Sequence, residues 1–600
     1  MGPRHGRTRT VRGRQERTAL LARLLGRQVE RILRLVDLEV RGERVETSAF
    51  ALGNGRLPRA HSPVRYEALL SYSRNEPRIE LIKRNLDRAL RLGRFLGENG
   101  PLPVDGFRLG DLRPWSRFPV GSLEDCIGSI SSYCNCDCEF CYEKGTRGAG
   151  IALGRAQLSL REVDTRLKHY SREEKRGIVP SSRLSLESFA NPHCLEILEK
   201  THEAAPDEWI NLTTNGSFLT EEVVARLARL RPIMLSISLN AASVETSMGS
   251  MRYRTREAAE TALRSPELLR KHEIPYVGSY VPWPSKPLSD MEEAVRLLER
   301  HDAVAARVCL PSWTRYSAEE PPFDTESYWG EILEVVRRLR REVAVPVRPT
   351  PNMYELRTIR PVIHGSTKGS PAAGAGFQYG DVITAIDGEP VYTRPEVSRW
   401  LAKRFEDRQI GETRFTVQRG DGHLEIAVRH TRDPGELGYP YRCLGAEGTP
   451  SAVWAGALGL QLGDGPELTS FVRLKEIAEE YPEKRALLFV SELMEPCFHQ
   501  GMGLLGEAAA FVDTLELYVE KLRPSYWGGN VVLGDLWTVE DIIEGTREWI
   551  EARGVRPEVV IVPSSFLSHG ARDLVGRCYR EAERALDVEV RLLPCYRIVI

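Results

Sequence analysis

Four cysteines, Cys134, Cys136, Cys138 and Cys141, stand within eight residues of a 600-residue chain that has only eleven. Thiolates this close together suit a metal centre. A structural zinc ion wants paired C-x-x-C knuckles, two pairs separated by a finger or ribbon. Only Cys138 and Cys141 make such a pair, and nothing like a second pair follows. Read as C-x-x-x-C-x-x-C, the residues Cys134, Cys138 and Cys141 offer three thiolates to an iron–sulfur cube whose ordinary complement is four. One iron is then left open to another molecule. Cys136 has no position in that spacing and is expected to be a bystander. Cys126, inside the apolar run CIGSIS, is expected in the core.

This spacing, with the aromatic Phe140 just before the last cysteine, resembles the motif of the radical S-adenosylmethionine superfamily. The resemblance implies a [4Fe–4S] cluster whose open iron is chelated by the amino and carboxylate groups of S-adenosylmethionine. It implies a reaction in which the reduced cluster cleaves that cofactor to a 5′-deoxyadenosyl radical, which takes hydrogen from a substrate. An electron donor such as a flavodoxin or ferredoxin is implied as a partner. The cluster ligands are then Cys134, Cys138 and Cys141, and the cofactor contacts fall on Phe140, Glu187, Asn215, Ser238 and Asn240.

Each of those contacts follows an apolar run. The family's Gly-Gly-Glu-Pro stretch at the second strand is replaced here by LSLESFANPHCLEIL, which lacks both glycines and the adjacent proline. Glu187 still stands at the strand end, with Pro192 and a helix beyond it. A carboxylate there suits the cofactor's ammonium, or it is a solvated strand-end acid. In TTNG, Asn215 offers an acceptor and donors, or marks an Asn-Gly turn. In SISLNAAS, Ser238 and Asn240 alternate with apolar residues, which sends the pair to one face of a strand. The family places ribose and carboxylate contacts there, and structural hydrogen bonds are the competing use.

The elements that must position these residues are strands and helices in alternation. Between about 120 and 345 the runs CIGSISSY, SRLSLES, WINLTTNG, IMLSISLN, YVGSYVPW and AARVCLP are separated by amphipathic segments such as CLEILEKTHEAA and MEEAVRLLERHD. Strand then helix, six times over, means a parallel sheet with helical return connections. The expected fold class is therefore α/β, a partial (β/α)6 TIM-like barrel of radical SAM type. In such a sheet the chemistry sits at the carboxyl ends of the strands, where the loops converge.

Four regions are expected: 1–117, Arg-rich and largely helical; 118–348, the radical SAM core; 349–432, a small mainly-β domain; and 433–600, a C-terminal α/β domain. In the first, Leu20, Leu21, Leu24, Leu25, Ile32 and Val36 recur at helical spacing behind an arginine-rich arm. In the third, GSPAAGAGFQYGDVITAIDGEPV resembles the middle of a bacterial PDZ domain, which implies a peptide or protein partner bound by strand addition. The preceding YELRTIRP lacks the glycines of the carboxylate-capturing loop, so the module is read either as a peptide binder or as a connector. In the fourth, RALLFVSEL, DTLELYVEKL, GNVVLG, EVVIVPSS and VEVRLLP are expected strands. YWGGNVVLGDLW and VVIVPSSFLS resemble the tail of bacterial proteins that combine these same three parts, a likeness that brings no substrate with it. GGN suits close backbone approach, to a ligand or to a neighbouring strand.

Acids and bases nearly balance, 84 against 83, so nucleic acid is not expected as a partner. No segment approaches the roughly 20 apolar residues that span a bilayer. The odd cysteine number argues against a secreted disulfide framework, and a reducing cytoplasm is expected. The whole reads as a radical SAM oxidoreductase or transferase whose substrate is a peptide, a protein or another molecule. The alternatives are a metal-stabilised scaffold that recruits a partner through the PDZ-like block, and an iron–sulfur electron carrier.

Overall fold

The computed structural model describes residues 103–104, 107–108, 130–131, 133–141, 157–167, 187–315, 323–406, 411–429, 431, 433–444, 457–463, 465–466, 468–504, 515–567, 573, 575, 577–593 and 595. The helix expected at 20–36 and the greater part of the two strands expected at 126–133 and 182–188 lie outside these residues.

The core is a five-stranded, all-parallel sheet in sequential order: β1 (Ile210–Thr214), β2 (Ile233–Ser238), β3 (Tyr276–Tyr280), β4 (Ala305–Cys309) and β5 (Val347–Thr350). The first four are runs read from sequence. The fifth, VRPT, is too short and polar to stand out, and it becomes a strand because it pairs with β4 from Ala306↔Val347 to Cys309↔Thr350. Around the sheet lie α1 (Leu160–Leu167), α2 (Cys194–Ala204), α3 (Glu221–Leu227), α4 (Val244–Ser250), α5 (Arg256–Lys271), α6 (Leu288–Arg300) and α7 (Thr325–Glu342). Side chains set where several of them begin: Thr220, Ser243, Thr255 and Asp324 each accept a first-turn backbone N–H.

Strand alternation sorts the two faces. Leu212, Leu235, Ile237, Tyr276, Ala306, Val308 and Val347 join the helices in one large core. Gly278 sits on this side because α6 packs directly on its backbone: a Cβ there would lie 2.3 Å from the Leu298 methyls. The opposite, concave face carries residues that stand in register from strand to strand: Ser238 opposite Ser279, Ser279 opposite Arg307, and Arg307 opposite Arg348. At the other end of this face Met234, Val277 and Ala305 are covered by Leu437, Tyr441 and Leu444.

The PDZ-like block holds a four-stranded antiparallel sheet of β6 (Val382–Ile386), β7 (Glu389–Pro390), β8 (Glu412–Arg419) and β9 (Gly422–Arg429), with α8 (Arg394–Glu406) against it. Gly376 and Gly380 have φ of +94° and +90°, the left-handed turns that glycine permits. This core is completed from further along the chain. Leu460 and Gln461 pair antiparallel with Ser366 and Gly365, and Leu458, Leu460 and Leu462 are buried beside Ile363, Val397 and Leu401. The Tyr441 hydroxyl takes the backbone N–H groups of Leu458 and Gly459.

The C-terminal domain is a parallel four-stranded sheet, ordered β11-β10-β12-β13, of β10 (Arg485–Ser491), β11 (Glu516–Leu522), β12 (Val559–Pro563) and β13 (Glu589–Leu593). One face packs on α9 (Leu468–Glu480) and α10 (Glu495–Leu504), the other on α11 (Val539–Arg553) and α12 (Arg580–Leu586). GNVVLG, expected as a strand, is not one. It is a docking turn, because Gly529 lies so close to the core that a Cβ would stand 2.1 Å from the Trp313 carbonyl oxygen. Asn530 accepts from the Trp313 N–H at 2.8 Å and donates to the Pro311 carbonyl at 3.0 Å. The close backbone approach expected of GGN is made neither to a ligand nor to a strand but to the loop that follows β4. Among the described residues no helix is long and apolar enough to cross a membrane.

Candidate active site

The cysteine loop is held at the carboxyl end of the core sheet by contacts from four directions. Upstream, Asn191 is 2 % exposed and its amide donates to the carbonyls of Ile130 and Leu158, both at 2.9 Å. It thereby fixes the segment that leads into Tyr133 and Cys134. The Glu187 N–H donates to the Tyr133 carbonyl at 3.1 Å, so the end of the SRLSLES run lies beside the start of the loop. From below, the Glu139 N–H donates to the Ser250 carbonyl at the end of α4 at 3.0 Å. From the loop after β3, Ser285 donates to the Glu139 carboxylate.

Cys134, Cys138 and Cys141 are each partly exposed, while Cys136 is buried. Cys136 sits between two neighbours rather than apart. Its thiol touches those of Cys134 and Cys138, and these contacts together with burial push it far above its usual value. Cys138 Sγ lies 3.6 Å from Met251 Sδ, and Cys134, Cys136 and Cys138 pack with Phe140, Met251 and Tyr253 in one small cluster.

Asn215 is 8 % exposed and is turned onto this loop. Its Nδ2 donates to Asn135 Oδ1 at 2.7 Å and reaches Cys136 Sγ at 3.3 Å and Cys134 Sγ at 3.8 Å. Its Oδ1 accepts from Ser217, and its backbone carbonyl accepts the Tyr253 hydroxyl at 2.7 Å. The turn read from TTNG is present, and the Asn215 amide is bonded to the cysteine loop.

Glu187 is fully buried, not solvated. Its carboxylate accepts from Asn215 N at 2.6 Å, Thr214 Oγ1 at 2.8 Å and Phe189 N at 3.2 Å. Burial pushes its pKa up to about 7, against the downward pull of these three donors. Two carboxylate oxygens offer about four lone-pair sites, so acceptor capacity remains.

Asn240, 5 % exposed, accepts from Val281 N at 2.7 Å through Oδ1, and its Nδ2 lies 3.5 Å from Met251 Sδ. Ser238 stands on the concave face opposite Ser279, whose hydroxyl donates to the Ile237 carbonyl at 3.3 Å.

One residue that sequence reasoning passed over is Lys286, in the loop after β3. It is 6 % exposed, and its ammonium donates to the carbonyls of Asn240 at 2.7 Å and Val281 at 3.2 Å. It lies 4.9 Å from the Phe140 ring centroid and 4.3 Å from that of Tyr280. Burial lowers its pKa to about 8, which leaves it mostly charged at neutral pH. A single lysine within WPSKP carries no signal in sequence, and neither do Met251 and Tyr253. Asn191, just before a proline, could have been read as a turn residue though not as a bridge.

The donor set suits an iron–sulfur cluster in kind: three cysteines on one loop, partly exposed, at the open end of the sheet. Among the described residues no three His, Cys, Asp or Glu side chains are gathered about a point as a single ion would need. A cluster makes a different demand, one thiolate to each of several irons.

Comparisons with known proteins agree with this picture at the level of domains. Residues 129–298 match the model of the radical SAM superfamily, and residues 362–408 that of the PDZ domain. Among curated proteins, one from Brucella suis that is named a zinc metalloprotease is 38 % identical over 72 residues, 12 % of this chain and 18 % of that protein. The chain thus spans less than a fifth of that relative's length. Among solved structures, Streptococcus suis SuiB bound to S-adenosylmethionine is similar at 16 % identity and TM-score 0.29, over 37 % of this chain and 49 % of that one. Kitasatospora setae TsrM, a radical S-adenosylmethionine methyltransferase with cobalamin and a [4Fe–4S] cluster, is similar at 15 % identity and TM-score 0.23, over 29 % of this chain and 32 % of that one. The domain matches begin one residue before Ile130 and run from the cysteine loop into α6, then resume over β6, β7 and α8 of the PDZ-like block, so the chain carries a radical SAM superfamily domain and a PDZ domain.

Proposed function

We propose that the protein is a radical S-adenosylmethionine enzyme in which Cys134, Cys138 and Cys141 bind a [4Fe–4S] cluster. The group's contribution when bound is one electron for the reductive cleavage of S-adenosylmethionine, which yields the radical that takes hydrogen from the substrate. The observation that carries this reading is the position of the three cysteines, on one loop at the carboxyl end of a parallel half-barrel.

The chain's own residues then bind and orient. Glu187 presents a buried carboxylate to the cofactor's ammonium, and an added positive charge beside it would hold it ionised. Asn215 fixes the cysteine loop, and Phe140 offers an aromatic face. Ser238 and Asn240 line the far side, with Asn240 steadied by Val281. The substrate enters the concave face, where Arg307 stands opposite Ser279 of the neighbouring strand, while Arg348 beyond it is buried and bonded to Gln461. No acid faces inward from the five described strands, so an anionic group on the substrate, such as a peptide carboxylate, suits this surface. The C-terminal domain, anchored on the loop after β4, is placed to close the opening against water. An external electron donor completes the reaction.

One observation favours a second reading. The contact of Cys136 with Cys134 and Cys138 offers a nearby fourth thiol, as a plain electron-transfer cluster would need.

The test is anaerobic reconstitution of the full chain with iron and sulfide, then dithionite and S-adenosylmethionine, with 5′-deoxyadenosine as the readout. Wild type and Cys136→Ala are expected to form it, and Cys138→Ala to fall to background, at least about a hundredfold lower. Equal product from Cys138→Ala, or four irons per chain with no product from wild type, would overturn the proposal, the latter in favour of an electron carrier.

A further inference from the structure

Buried ammonium groups are costly unless something offsets their charge. Lys286 is buried against the cysteine loop, and its two hydrogen bonds go to neutral carbonyls. An ammonium has three donors, so one remains. Among the described residues no carboxylate pairs with it. Asp290 and Glu139 support its charge without forming an ion pair with it, and Asp290 accepts from the Tyr280 hydroxyl at 2.7 Å and the Ala242 N–H at 3.2 Å. Glu139 is engaged by Ser285. The faces of Phe140 and Tyr280 on either side give the cation partial compensation and fix where it stands.

Other cations near the loop are differently placed. Arg252 is half exposed and 3.9 Å from the Asp137 carboxylate, and Arg254 lies over the Tyr133 ring at 5.8 Å. Water and salt screen exposed charges far more than a buried one.

We infer that Lys286 is a positioning residue that supplies the buried positive charge opposite the anionic thiolate cluster and so raises its reduction potential. This inference rests on the proposed cluster at Cys134, Cys138 and Cys141. The reason is electrostatic. Three thiolates and an iron–sulfide core concentrate negative charge, reduction adds one more, and a fixed cation in a low-dielectric setting favours the more negative state. The two carbonyls and two rings hold the ammonium in place whether or not the cluster is present.

The test uses the full reconstituted chain and an EPR-monitored redox titration, with iron per chain measured on the same samples. Lys286→Gln keeps donors for the Asn240 and Val281 carbonyls but removes the charge; Lys286→Arg keeps the charge. Lys286→Met serves as a second neutral variant should the glutamine variant fold poorly. The neutral variants are expected to hold as much iron as wild type and to titrate at a more negative potential, with slower 5′-deoxyadenosine formation at a fixed donor potential. Lys286→Arg is expected to return both toward wild type. Neutral variants with full iron and an unchanged potential would refute the inference while leaving the enzyme reading intact. A wild type that binds no cluster would overturn both.

Discussion

At the scale of residues, the candidate site depends on side chains with no obvious chemistry as much as on the cysteines. Asn191 shows this best. One amide bridges the carbonyls of Ile130 and Leu158 and so sets the entry to the cysteine loop. Asn191→Ala takes the amide donor from the Leu158 carbonyl and leaves the Ile130 carbonyl with the Leu158 N–H alone, at a cost of about 1–3 kcal/mol. A lowered melting temperature and faster loss of iron from the reconstituted protein are expected; unchanged values for both would show that the bridge does not position the loop. Of the contacts read from sequence, Glu187, Asn215 and Asn240 are all buried and close to the loop, although none is a free group waiting for a ligand. Each is bonded to backbone or side chain as well. Sequence cannot tell a binding group from a satisfied one, because the two share residue types and differ only in what surrounds them.

Elements show the reverse balance. Strands β1 to β4 were legible because each is a run of apolar residues with a period of two, ended by a polar turn. VRPT was not, since its pairing with β4 and not its composition makes it a strand. GNVVLG failed the other way: its apolar residues suggest a strand, while its glycines belong to a docking turn. Gly529, with φ of +66°, has no room for a side chain against Trp313. Gly529→Ala is expected to cost about 1–3 kcal/mol through overpacking and to loosen the C-terminal domain. Limited proteolysis should then cut between the PDZ-like and C-terminal domains at a rate at least several-fold above wild type. Equal cleavage would mean that this turn does not dock the domain.

For the molecule as a whole, the three parts are tied together by segments from outside their sequence boundaries. The stretch 457–463, expected from sequence within the C-terminal domain, is a strand and apolar plug of the PDZ-like core. Residues 433–444 place Tyr441 and Leu437 on the sheet of the radical SAM domain. A fragment of residues 353–432 is therefore expected to stay unfolded, whereas 353–466 should give a cooperative melt and dispersed amide resonances. A folded shorter fragment would show the later segment to be dispensable.

The cysteine spacing, the strand–helix rhythm of the core and the glycine turns of the PDZ-like block can all be read along the linear chain. These are local patterns, set by which residues stand a few positions apart. Folding in three dimensions brings Lys286 beneath Phe140, bonds Asn530 to Trp313 across 217 residues of chain, and pairs Leu460 with Ser366. Contacts of that kind depend on which distant surfaces close upon one another, and a linear pattern of polarity and size records only that each surface is able to be buried.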